Sequence, residues 1–63
     1  MNNELQAKQI ISELKAAIKK KDKAQIVSLF DTAELIDWHD VHDSVFTTYD
    51  DLVDQANDIL LIP

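Results

Sequence analysis

The 63-residue sequence contains no glycine, no cysteine and no arginine, and its one proline is Pro63. Phosphate-cradling loops, dinucleotide-binding turns, EF-hand loops and the nucleophile elbow each need a backbone position that only glycine fills cheaply, so all four are excluded in their standard forms. Without cysteine there is neither disulfide stapling nor a cysteine-based zinc site. A chain this short must then draw its stability from helix packing, oligomerisation or a partner, and a reducing, cytoplasmic setting fits. Arginine is the planar bidentate donor for phosphates and guanine edges; its absence from a chain of formal charge −6 argues against direct nucleic-acid binding. No apolar run approaches the roughly 18 to 20 residues of a membrane span. The opening Met1-Asn2-Asn3-Glu4 lacks the basic and then apolar blocks of a secretory signal, so no membrane partner and no processing are expected. There is no Asn-Gly or Asp-Gly hairpin turn and no sustained alternation of apolar and polar residues, which leaves strands without local support.

What the chain does carry is helical periodicity. Ala7, Ile10, Ile11, Leu14, Ala17 and Ile18 recur at three-and-four spacing behind a capping Asn3, which predicts a helix over about residues 4 to 21. Its final lysines, Lys19, Lys20 and Lys21, suit the negative end of the helix dipole. Asp22 with Gln25 reads as a capping box, and Ile26, Leu29, Phe30, Ala33 and Ile36 continue in register, predicting a second helix over about 23 to 36. Trp38, Val41, Val45, Tyr49, Leu52, Ala56 and Leu60 share one stripe, predicting a third helix over about 38 to 61 with Asp37 as cap and Asp40 at the capping-box position. Val45, Thr47 and Thr48 weaken helix propensity locally, so the alternative is four short helices with a break near Thr47-Thr48.

The expected fold is therefore all-α, a small three-helix antiparallel bundle formed by residues 1–63 as a single helical domain. Its core should draw on Ile10, Ile11, Leu14, Ile18, Ile26, Leu29, Phe30, Ile36, Trp38, Val41, Val45, Leu52, Ala56 and Leu60. The tail Ile59-Leu60-Leu61-Ile62-Pro63 is apolar enough to pack on the bundle or on a second copy.

Charge is segregated. Residues 1–23 hold all six lysines against Glu4, Glu13 and Asp22, a balance of +3; residues 24–63 hold nine acids and no base, a balance of −9. On the third helix Asp40, Asp43, Asp50, Asp51, Asp54 and Asp58 fall opposite the apolar stripe. Like charges three or four apart cost a few tenths of a kcal/mol per pair. A stripe that costs stability suggests a binding face for a basic protein partner, steered by charge. In its sharpest form the stripe would mimic a nucleic-acid phosphate row; in its plainest it is a solvated face that confers solubility, or one balanced within the fold by the lysine-rich first helix. Leu5, Val27, Leu35 and Phe46 fall off their stripes, and Phe46 joins the candidate partner-binding residues.

Chemistry of other kinds is poorly supplied. His39 and His42, with Asp40 and Asp43, have helical spacing for two or three metal ligands, yet no cysteine or further histidine exists to close a site; His42 is expected to border the core and His39 to face solvent. Ser44, His42 and the aspartates have nothing to supply an oxyanion hole or exclude water. No enzyme activity, cofactor or metal is expected. The favoured function is a small interaction module or inhibitor that turns its acidic helix to a basic protein. The alternative is a self-assembling homo-oligomer whose acids only keep it in solution.

Overall fold

The computed structural model describes residues 3–62, and it places three α-helices and one 3-10 turn in the order α1 (Asn3–Lys20), α2 (Lys23–Ala33), the turn Trp38–Asp40 and α3 (Asp43–Leu60). No strand occurs among the described residues. The helices run up, down and up, so α1 and α3 are parallel and α2 lies antiparallel to both. α1 packs along both of the others, whereas α2 and α3 meet sparingly. The long axis of 36 Å follows from two 18-residue helices, each about 27 Å long at 1.5 Å per residue, with caps beyond them.

The joint between α1 and α2 is two residues long. Lys21 adopts a left-handed conformation (φ 56°). Its N–H bonds the Ile18 carbonyl at 3.1 Å and that of Asp22 bonds the Ala17 carbonyl at 3.0 Å, the paired closure of a Schellman motif. Glycine usually fills this position, so a β-carbon here carries a steric cost. Asp22 then caps α2 as the capping spacing predicts, its carboxylate accepting from the Gln25 N–H at 3.2 Å.

α2 ends at Ala33, earlier than the predicted Ile36, because the indole of Trp38 donates Nε1–H to the Ala33 carbonyl at 3.0 Å and the chain turns through Glu34–Asp37. The predicted third helix is likewise divided. Asp37 does cap, accepting from the His39 N–H at 3.1 Å, but what it starts is a single 3-10 turn. Val41 (φ −102°, ψ 139°) and His42 (φ −60°, ψ 142°) are extended, and α3 starts at Asp43. The break thus falls at Val41-His42 and not near Thr47-Thr48. Both threonines stay helical, their hydroxyls donating to the carbonyls of Asp43 and Ser44 one turn back. Asn3 lies within α1 and not ahead of it, and its amide Nδ2–H donates to Asp40 Oδ2 at 3.2 Å.

The core has two storeys. At the α1–α2 joint, Ile11, Leu14, Ala17, Ile26, Leu29, Leu52, Ala56 and Ile59 interlock, with Leu14 and Ile26 fully buried. At the opposite end Ala7, Ile10, Ala33, Ile36 and Val41 form a smaller cluster, covered by half-buried Trp38, Val45 and Tyr49. Ile18, Phe30, Trp38, Val45 and Leu60, expected as core, are half-buried at its rim. Ile59 takes the position expected of Leu60, because at 100° per residue it lies nearer the centre of the arc set by Val45, Leu52 and Ala56. Leu61 and Ile62 are exposed, so the tail packs only through Ile59 and Leu60; the Ile62 carbonyl accepts from Lys23 Nζ. Pro63 lies outside the described residues.

Candidate partner-binding face

On α3, at 100° per residue, Asp43, Asp50, Asp51, Asp54 and Asp58 fall within an arc of about 100°. All five are exposed. Asp40 does not join them. The break at Val41-His42 removes it from the helix, and its carboxylate is turned to Asn3 at the start of α1. The acidic stripe therefore has five members on α3 rather than six.

Two features of the stripe work against helix stability. Asp50–Asp54 and Asp54–Asp58 are like-charge pairs four apart, and Asp51–Asp54 are three apart, each costing a few tenths of a kcal/mol. α3 has no basic residue in its last turn, where Asp58 meets the negative end of the helix dipole. Only Asp43, in the first turn, is placed where the dipole favours an anion.

Phe46 lies beside the stripe, 45% exposed. It meets the Trp38 ring edge-on, with centroids 5.8 Å apart at 62°. Tyr49, one turn on, stacks on Trp38 at 4.5 Å and 22°. Burial pushes the Tyr49 phenol above its usual range, and the negative charge of Glu34 adds to the same direction. Trp38, His39, Val41, Asp43 and Phe46 line an open groove of about 280 Å³ between the 3-10 turn and the first turns of α3. A second groove, about 320 Å³, lies between α1 and the end of α2 beside Leu35, which is 85% exposed.

His42 does not border the core. It is exposed and caps α3, with Nδ1 accepting from the Ser44 N–H at 3.1 Å and lying 2.8 Å from Ser44 Oγ. The contact superficially resembles a base and nucleophile, but the ring nitrogen involved is committed to the backbone and both side chains stand in solvent. His39 is exposed. Among the described residues no three His, Cys, Asp or Glu side chains converge as a metal site would require, and none of the described helices is long and apolar enough to cross a membrane.

Comparison with protein-family models finds no match, and neither the curated proteins nor the solved structures contain one that matches.

The groove and the His42 cap escape a reading of periodicity. The spacing of Trp38, Val41 and Val45 is helical, and nothing local reveals that the chain straightens between them. The one hint is Val41-His42-Asp43-Ser44, where a β-branched residue is followed within three positions by Asp43 and Ser44, side chains that favour helix starts and turns over helix interiors.

Proposed function

We propose that this protein is a small, non-enzymatic interaction module, of the inhibitor type, which presents the acidic face of α3 to a basic protein surface. The carrying observation is the confinement of Asp43, Asp50, Asp51, Asp54 and Asp58 to one exposed arc, in a 24–63 segment with no base to neutralise it. Such a face raises the encounter rate with a cationic partner and sets its orientation. Exposed Phe46 beside it supplies apolar area that charge steering alone does not. A cytoplasmic site of action belongs to the same proposal and is supported by the absence of cysteine.

The test is capture of partners by tagged protein at low and high salt, alongside the variant D51N/D54N/D58N. A basic protein held at low salt, released at high salt and lost in the variant supports the proposal. Binding that survives the triple substitution overturns it. The same variant should melt at a higher temperature than the parent, since like-charge and dipole penalties are both removed.

Self-assembly is a second reading, favoured by the exposure of Leu35 beside the α1–α2 groove. In that case sedimentation would show an oligomer that persists or tightens with salt, and L35S would dissolve it.

A further inference from the structure

We propose that the groove between the 3-10 turn and the start of α3 is the anchor point of that partner, and that it receives an arginine side chain. The inference rests on the basic-partner reading and narrows it to one pocket and one residue type. The groove is lined by three aromatic residues, Trp38, His39 and Phe46, by the buried Val41 and by the exposed acid Asp43. An apolar plug would strip water from Asp43 without offering it a partner, and an anion would be repelled by it. A cation with an apolar stem suits the apolar and the acidic lining at once. Arginine matches better than lysine: a planar guanidinium lies flat on aromatic rings while its N–H donors reach a carboxylate in pairs. Phe46 helps explain why the site stays open. It is 45% exposed, held by an edge contact with Trp38, and contributes to neither buried cluster. Asp40 in the same turn adds negative potential nearby.

The probes are acetyl-tetra-arginine amide, acetyl-tetra-lysine amide and the uncharged tetra-citrulline analogue, titrated at low salt. Trp38 is the chain's one tryptophan, so its fluorescence reports the groove directly. Tetra-arginine should give a saturable Trp38 response and bind roughly three- to tenfold tighter than tetra-lysine of equal charge, with citrulline silent. D43N and F46L should each remove most of that preference. F46L keeps the apolar bulk and the helix, so circular dichroism and melting can be matched to the parent. Equal response to arginine and lysine, or loss in D43N and F46L no greater than in D58N, overturns the groove while leaving the acidic face as a general attractor. Failure of both cationic peptides to bind the parent overturns the groove and the acidic-face reading together. If D51N/D54N/D58N retains full affinity while D43N loses it, the groove stands and the wider face does not.

Discussion

α1 and α3 are each 18 residues long and run side by side, yet they divide the work unequally. α1 buries five side chains spread from Ala7 to Ala17. α3 buries three, Leu52, Ala56 and Ile59, all in its second half. Its first half is held by half-buried Val45 and Tyr49 and by the indole of Trp38, which lies outside the helix. α1 is thus the spine on which both other helices pack, while the first turns of α3 are secured mainly from the side by aromatic contacts and a cap. The groove lies at these lightly packed first turns, while the acidic stripe runs the length of α3 on exposed positions.

The contrast breaks most directly at Leu14, fully buried in the larger storey. L14A should cost about 2 to 5 kcal/mol, comparable to all the stability a domain of this size commands, so thermal melts should show largely unfolded protein at 37 °C. V45A, in the half-buried part of α3, should cost clearly less and leave a cooperative melt. H42A removes the α3 cap and should cost about 1 kcal/mol. The loss should appear in hydrogen exchange as faster amides in the first turn of α3 with the α1–α2 joint unaffected. K21G sharpens the difference from the other side. Relieving the left-handed lysine should raise stability by about 0.5 to 1 kcal/mol in denaturant titrations, a gain located wholly at the α1–α2 end.

The smallest effect concerns Tyr49. Its phenol is harder to ionise in the fold than in the unfolded chain, whose ordinary value is 10.0. The raised folded-state value means that this contribution is complete below about pH 10 and is lost as pH rises further. The melting temperature of the parent should therefore fall more steeply above pH 10 than that of Y49F, the comparison cancelling the lysines that titrate in the same range.

How far the sequence discloses these two helices follows from what holds each of them. α1 and the start of α2 are legible because their signals are local: a continuous apolar stripe, lysines at the dipole end, and an Asp22–Gln25 spacing of which the structure forms the capping half, the Asp22 carboxylate accepting from the Gln25 N–H while the Asp22 N–H is taken by the Ala17 carbonyl. The region from Glu34 to His42 is not, because its decisive bonds are tertiary or unusual. An indole five residues away terminates α2, and a histidine, outside the usual set of capping side chains, starts α3. For the same reason the stripe is legible from Asp43 to Asp58, where the helix is regular, but not at Asp40, which the helical spacing places on it and the structure sets in the 3-10 turn. The groove depends on Trp38 folding back over Phe46 and Tyr49, which no spacing rule encodes.

The two-residue joint at Lys21-Asp22 also bears on the order of folding events. Closing so short a loop costs little chain entropy, so α1 and α2 can meet and test their packing within microseconds, before α3 has found its place. α3 must wait for the 34–42 connection to bend and for Trp38 to settle. A nucleus built on the α1–α2 hairpin makes K21G accelerate folding and leave unfolding nearly unchanged, whereas changes at His42 fall on the unfolding rate. The half of the molecule that carries the acidic face would then be the last to arrive and the first to leave.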